Sequence, residues 1–195
     1  MLIPLRLSAQ TDEQLMLRAA RGNDRAFEEL YNRHARRLQG FFARRLGDDA
    51  DLAADFMHDT FLRLYAARES YREDSSFRAW LYTIAYNLWK NHRRSHLALV
   101  PESRVAVGGS PADTTYVDTA DIELELDATI LRDALRAVLR SLPESYAMLF
   151  SLHYEEELTV PQIVQITGLP EGTVKSRLHK TMNIIKQQLK QYESH

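Results

Sequence analysis

Apolar residues recur every three or four positions along most of this 195-residue chain. That period places them on one side of an α-helix, whereas a half-buried strand needs strict alternation, which no segment sustains. The exception is 97–121, where Gly and Pro cluster and periodicity is weak. A loop of this length is uncommon inside one compact domain. The pattern therefore predicts an all-α fold with two small helical domains, 1–96 and 122–195, joined by a flexible linker, 97–121.

The formal net charge of −2 conceals an uneven distribution. Residues 1–96 carry 16 Lys or Arg against 13 Asp or Glu, and residues 129–195 carry eight against seven. Residues 97–128 carry one Arg against seven acids, so the linker is predicted to be acidic. The chain has no cysteine and no apolar run long enough to span a membrane, and Pro4 and Arg6 interrupt its first apolar run. We therefore expect a cytoplasmic protein.

The last predicted helix begins after the turn Gly168-Leu169-Pro170. On a helical wheel its apolar stripe consists of Val174, Leu178, Thr181, Ile185 and Leu189. Short polar and basic side chains lie outside that stripe: Thr173, Lys175, Ser176, Arg177 and Lys180. With the apolar helix that precedes the turn, the pattern predicts a helix-turn-helix whose second helix contacts DNA. The alternative is an ordinary surface helix with solvated cations.

The fourth predicted helix, Ser76 to about Arg94, carries aromatic residues on two sides. The wheel places Phe77 and Leu81 in the core and places Tyr82, Tyr86, Trp89, Lys90 and Arg93 on the opposite face. Exposed aromatic rings beside cations are suited to stacking unpaired bases. The alternative is that the linker or the other domain covers this face.

The third predicted helix carries an acidic stripe, with Asp48, Asp51, Asp55 and Asp59 at spacings of three or four. His58 suggests a metal site, but it is adjacent to Asp59, and neighbours on a helix diverge by 100°. A solvated acidic face or a docking surface for a basic partner fits better. No other histidine has ligand spacing, and no catalytic motif is present. We therefore expect no metal, no cofactor and no enzymatic activity.

Four segments together resemble a known family: D-F-M-H-D-T-F-L-R-L-Y, S-F-R-A-W-L-Y-T-I-A-Y-N, L-P-E-S-Y-A-M-L-F and G-L-P-E-G-T-V-K-S-R-L. In this order, with a linker between the second and third, they resemble bacterial extracytoplasmic-function (ECF, group 4) sigma factors of the sigma-70 family over nearly the whole chain. The resemblance implies an alternative sigma factor that binds core RNA polymerase and directs promoter-specific initiation. It also implies a region 2 domain, a region 4 domain and regulation by an anti-sigma factor.

The resemblance also implies three sets of site residues. Contact with core polymerase, at the β′ clamp helices, is expected from Asp55, His58, Asp59 and Phe61, with the β flap as a second contact. The −10 element is expected to be melted by Arg68, Ser70, Tyr71, Ser75, Trp80, Tyr82, Tyr86, Asn87, Trp89 and Lys90. The −35 element is expected to contact Thr173, Lys175, Ser176, Arg177 and Lys180. The acidic linker is expected to follow the RNA exit channel.

The chain departs from the family pattern at several positions. His58-Asp59 replaces the usual Gln-Glu pair, and Tyr86 stands where Arg is frequent. The first departure bears on the contact with polymerase. The second bears on which promoter is recognised. Three alternatives remain: a stand-alone helix-turn-helix transcriptional regulator, a helical scaffold or signalling adaptor, and a metal enzyme using Asp55, His58 and Asp59.

Overall fold

The computed structural model describes residues 7–99 and 122–190, and within these ranges every regular element is helical. The α-helices are α1 (Asp12–Ala20), α2 (Asp24–Ala43), α3 (Ala50–Ala66), α4 (Phe77–Leu99), α5 (Ile122–Ser141), α6 (Glu144–Phe150), α7 (Val160–Thr167) and α8 (Glu171–Leu189). Short 3₁₀ turns occupy Leu7–Ala9 and Arg68–Ser70, and a π-helical turn, Ser151–Glu155, extends α6. The all-α prediction is confirmed.

The chain divides into two compact units, Met1–Ala112 and Asp113–His195, which confirms the prediction of two helical domains. Helix α4 reaches Leu99, two residues beyond the predicted start of the linker. The remaining linker residues, 100–121, lie outside the described residues, so the predicted limits stay a prediction. In the described ranges no helix has both the length and the apolar character that a membrane span requires.

Side-chain caps set where the first helices begin. Thr11 caps α1 in a reciprocal pair with Gln14, and Asp49 caps α3 through the N–H of Leu52. Helix α2 is capped by Asn23, which accepts from the N–H of Ala26 at 3.1 Å. The sequence pattern predicts Asp24 as this cap, but Asp24 is the first residue inside the helix, so that prediction is wrong.

In the first unit, α2 packs against α1 and α3, and α4 packs against α3 and α1. The buried layer between them is built from large side chains that are less than 2% exposed, among them Leu15, Leu30, Phe41, Phe42 and Phe77. Because α4 is covered by helices from more than one direction, more than one of its faces is buried. That arrangement determines which of its aromatic residues reach the surface.

Arg33 on α2 binds the segment 7–10, which precedes α1. Its guanidinium donates to the backbone carbonyls of Leu7, Ser8 and Gln10 at 2.9–3.2 Å. It also pairs with Asp12 at 3.0 Å and with Glu29 at 2.9 Å. A planar guanidinium presents five N–H donors in a fixed geometry. One side chain therefore binds the segment before α1 to the middle of α2.

In the second unit, α5, α6 and α7 each pack against α8. Val174, Leu178, Thr181 and Ile185 are buried, and Leu189 is partly buried against the cluster of Val138, Phe150 and Ile185. The predicted apolar stripe of α8 is confirmed. The opposite side of α8 is left accessible within its own unit.

Candidate nucleic-acid and polymerase interfaces

The turn between α7 and α8 has the backbone geometry that a helix-turn-helix needs. Thr159 and Gln162 form a capping box at the start of α7, and Gly168 ends the helix with φ 72°. Glycine adopts this left-handed conformation without a steric penalty. Helix α8 then begins at Glu171, directly after Pro170. A three-residue turn, Gly168-Leu169-Pro170, therefore joins the two helices.

The five residues predicted to contact the −35 element all lie on the first three turns of α8. Lys175, Ser176 and Lys180 are exposed, and Thr173 and Arg177 are half-buried. None of them belongs to the buried stripe of this helix. Whether they contact DNA stays a prediction.

The three cations on the first three turns of α8 have different neighbours. Lys175 pairs with Glu171 at 2.5 Å, and both side chains are more than half exposed, so water weakens this pair. Arg177 and Lys180 have no ion pair among the described residues. Each approaches one aromatic ring instead: Arg177 Cζ lies 5.7 Å and Lys180 Nζ 5.9 Å from the ring centroid of Tyr146 on α6. Sequence analysis did not predict a role for Tyr146.

On α4, the expectation that Tyr82 and Trp89 are exposed is wrong. Tyr82 is 1% exposed and packs edge-on against Phe41 at 5.2 Å, and Trp89 is 5% exposed. Both lie in the core because α4 is covered by α3 and α1 and also meets Phe41 of α2, whereas the helical wheel assumed one buried face. Neither ring is available to stack an unpaired base in this conformation.

The accessible part of α4 is smaller than predicted. Asn87 and Lys90 are exposed, and Tyr86 and Trp80 are half-buried. Lys90 Nζ lies 6.0 Å from the ring centroid of Tyr86, so one cation–aromatic pair of the predicted face remains at the surface. We retain Tyr86, Asn87, Lys90 and Trp80 as candidates for contact with DNA.

The segment between α3 and α4 is held by hydrogen bonds at both ends. The Tyr71 hydroxyl donates to the carbonyl of Ser75 at 2.6 Å, and its ring lies 5.3 Å from that of Trp80. At the far end, the Glu13 carboxylate accepts from the N–H of Phe77 at 3.3 Å. Burial, together with the charges of Glu13 and Asp12, raises the pKa of Tyr71, so its hydroxyl remains a donor at neutral pH.

These contacts divide the predicted −10 residues of this segment into two groups. Ser70 is exposed and Ser75 is half-buried, so both have accessible surface. Tyr71 is buried, and the Arg68 guanidinium lies 4.0 Å from the ring of Tyr65 and donates to its carbonyl. Tyr71 therefore shapes the segment from within, whereas Arg68 is half-buried, as Ser75 is.

An apolar groove of about 350 Å³ lies between α2 and α3. Its lining residues are Phe27, Tyr31, His58, Phe61, Leu62 and Tyr65. Leu62 is 69% exposed, the largest exposed fraction among the large apolar side chains described. Such a residue beside an apolar groove is typical of a docking surface.

The exposure of two of these residues bears on the predicted polymerase contacts, which stay a prediction. Phe61 was expected to make direct contact, but it is 3% exposed and packs against Tyr31 and Phe27. Leu62 was not predicted. It lies four residues after His58 and three after Asp59, so on the helix surface it is a neighbour of each of them. The sequence therefore contained a signal for Leu62.

The rim of the groove is polar and mainly acidic. Asp55 and His58 are exposed, Asp59 pairs with Arg63 at 3.0 Å, and the Tyr31 hydroxyl lies 3.1 Å from His58 Nε2. Across residues 7–99 and 122–190, no group of three His, Asp or Glu side chains is arranged to hold a metal ion. Asp55, His58 and Asp59 thus lie on an accessible surface next to the groove.

Comparison with known proteins identifies the family. Residues 30–97 match the model of Sigma-70 region 2, and residues 132–183 match that of Sigma-70 region 4. The RNA polymerase sigma-H factor of Pseudomonas aeruginosa is 31% identical over 183 residues, which cover 92% of this chain and 94% of the relative. The chain belongs to the sigma-70 family. The resemblance seen in the sequence is confirmed, and this alternative sigma factor directs transcription initiation.

Other relatives agree in sequence and fold. The ECF RNA polymerase sigma-E factor of Escherichia coli is 29% identical over 185 residues, which cover 90% of this sigma factor and 92% of the relative. The fold matches CnrH in complex with the cytosolic domain of CnrY (TM-score 0.62, 24% identity, 92% of this chain and 97% of that one). It also matches the sigma factor RpoE in complex with the anti-sigma factor NepR from Bartonella quintana (TM-score 0.67, 22% identity, 84% and 96%).

Proposed function

We propose that this sigma factor docks on core RNA polymerase through the α2–α3 groove and recognises promoter DNA with two separate surfaces. Helix α8 contacts the −35 element. The segment 68–76 and the accessible part of α4 contact the −10 element. The sigma factor acts in the cytoplasm, and the polymerase supplies the catalysis.

The −35 assignment is supported by the electrostatics of α8. Arg177 and Lys180 carry charges that no acid neutralises among the described residues, and they lie near the start of the second helix of a helix-turn-helix. Helices in this position enter the major groove by their amino-terminal turns. Arg and Lys pair with guanine edges or phosphates, and Ser and Thr are short enough for close approach.

The polymerase assignment is supported by the groove and its acidic rim. The apolar groove, with exposed Leu62 beside it, is suited to bind an apolar side chain from a partner. Asp55 and Asp59 beside it favour a partner with basic residues around that anchor. The β′ clamp helices are proposed to supply this surface, with the β flap as a second contact on region 4. An anti-sigma factor that covered the groove would prevent docking.

The −10 assignment differs from the one based on sequence alone. Tyr86, Asn87 and Lys90 remain candidates for direct contact, together with Ser70, Ser75 and half-buried Trp80. Tyr82, Trp89 and Tyr71 support these residues from within, and half-buried Arg68 lies against Tyr65. Opening a base pair costs a few kcal/mol of unstacking, so a preformed site that receives the extruded base lowers that cost.

The decisive experiment is in vitro transcription from a genomic library with core polymerase freed of its own sigma factor, followed by mapping of start sites. New starts that share −10 and −35 elements are expected only when this protein is added. Absence of both polymerase capture and new starts contradicts the proposal. Tight promoter binding by the isolated chain, without polymerase, favours a stand-alone regulator.

The residues of α8 are tested with the triple variant Lys175→Ala, Arg177→Ala, Lys180→Ala. Each bidentate base contact that is lost costs about 1–3 kcal/mol, so starts that depend on the −35 element should disappear. Lys186→Ala is the matched control, because Lys186 is an exposed cation on the other half of the same helix. Unchanged promoter output in the triple variant rejects the −35 assignment.

A further inference from the structure

Tyr146 is an aromatic residue of α6 that lies beside basic side chains of α8, and no motif predicted a function for it. It lies on the first turns of α6, which packs directly on α8. The ring is half-buried, and its centroid lies 5.7 Å from Arg177 Cζ and 5.9 Å from Lys180 Nζ. Both distances fall within the range of a cation–aromatic interaction. A single ring therefore contacts two cations.

The spacing of the two cations explains how one ring reaches both. Arg177 and Lys180 are three residues apart on a helix, so their side chains emerge on the same side. The ring interacts with the cations without neutralising them, whereas a carboxylate would cancel a charge. Lys175 provides the contrast, because its partner is the carboxylate of Glu171 at 2.5 Å.

We propose that Tyr146 is a positioning residue for DNA recognition: its ring holds Arg177 and Lys180 in extended, charged conformations before DNA binds. This inference rests on the proposed function of α8. Long side chains lose rotamer freedom when they bind, and a side chain held beforehand loses less. The ring thereby increases promoter affinity without touching a base.

The hydroxyl of Tyr146 is not needed for this role. No described residue hydrogen-bonds to it, and the interaction with the cations arises from the face of the ring. Phenylalanine should therefore replace tyrosine without loss, whereas leucine, which is also apolar and bulky but has no π-system, should not. This pair of substitutions separates the positioning of cations from simple packing between α6 and α8.

The test uses the full sigma factor bound to core polymerase, with a promoter fragment obtained from the start-site mapping. Tyr146→Leu should weaken promoter binding about fivefold, and Tyr146→Phe should bind as the unchanged protein does. Tyr154→Leu is the control, because Tyr154 is also an accessible ring in this unit but contacts Phe150 and His153. Thermal unfolding of each variant checks that region 4 remains folded.

A second measurement shows whether Tyr146 acts through the cations. In a protein that already carries Arg177→Ala and Lys180→Ala, adding Tyr146→Leu should cause no further loss of promoter affinity. A further fivefold loss overturns the inference, as does equal weakening by Tyr146→Phe and Tyr146→Leu, or full binding by Tyr146→Leu. If Arg177→Ala and Lys180→Ala themselves leave binding unchanged, the −35 assignment fails, and this inference fails with it.

Discussion

Replacing Leu62 with alanine tests the groove at its most exposed apolar residue. Burial of a whole leucine side chain is worth about 1.5–3 kcal/mol. Leu62 is 69% exposed, so covering the accessible part by a partner contributes about 1–2 kcal/mol. Leu62→Ala should therefore raise the Kd for core polymerase about five- to thirtyfold. Because the side chain is mostly solvated in the free protein, its unfolding free energy should change by less than about 0.5 kcal/mol.

The assay is a competition titration of fluorescently labelled sigma factor against core polymerase, with urea unfolding measured in parallel. Leu131→Ala serves as the matched control, since Leu131 is an exposed leucine, 45% accessible, on α5 of the other unit. It should leave the Kd unchanged. Equal Kd values for Leu62→Ala and the unchanged protein refute the groove as the docking surface. So does an equal loss in both variants, because general apolar area would then explain binding.

Three further outcomes are expected from polar groups that are buried or half-buried. Thr181→Val should raise the unfolding free energy by about 1 kcal/mol in urea titrations, because the fully buried hydroxyl has no hydrogen-bond partner in the described structure; a decrease would show that it has one. Burial alone would raise the pKa of Asp12, but hydrogen bonds and charges from His34 and Arg33 outweigh it and lower that pKa below 3.8. Stability from Asp12 is therefore complete above about pH 4 and is lost as pH falls through the lowered pKa, so Asp12→Asn should flatten acid unfolding curves in this window. Tyr71→Phe removes the bond to the carbonyl of Ser75 and should slow promoter opening, followed by permanganate footprinting, more than it weakens the closed complex; equal effects on both steps would contradict that view.

Helix α8 could be predicted from its sequence because it has one buried side. Val174, Leu178 and Ile185 follow the helical period and are buried, and the residues outside this stripe are exposed or half-buried. When a helix packs on one side only, the apolar stripe and the buried stripe coincide. The polar residues left over are then the accessible ones, which is why the −35 candidates lie at the surface of their unit.

Helix α4 could not be predicted in the same way. The face with Phe77 is buried as expected, but the face with Tyr82 and Trp89 is buried as well. Tyrosine and tryptophan combine an apolar body with one polar group, so sequence alone does not decide between core and surface. The decision depends on contacts distant in sequence, such as the packing of Tyr82 against Phe41.

Contacts between helices explain the remaining residues that sequence analysis missed. Tyr146 lies 31 residues before Arg177, and its meeting with two cations depends on how α6 crosses α8. Asn23 and Asp24 are almost equally good caps, so composition does not choose between them. Leu62 differs, because it lies four residues after His58. That spacing alone predicts that the two side chains are neighbours on the surface of α3. The contact of Tyr146 depends on tertiary packing, and the cap of α2 depends on a choice between two nearly equal residues. Neither could be predicted from the sequence.

Arg33 has a consequence for how variants of this protein should be compared. Lysine would preserve the positive charge, but its compact ammonium cannot reach three carbonyls and two carboxylates in one plane, as the guanidinium does. An exchange that substitution tables treat as mild would release the segment before α1. At this position the anchor depends on the shape of the donor group, and the sign of its charge alone does not preserve it.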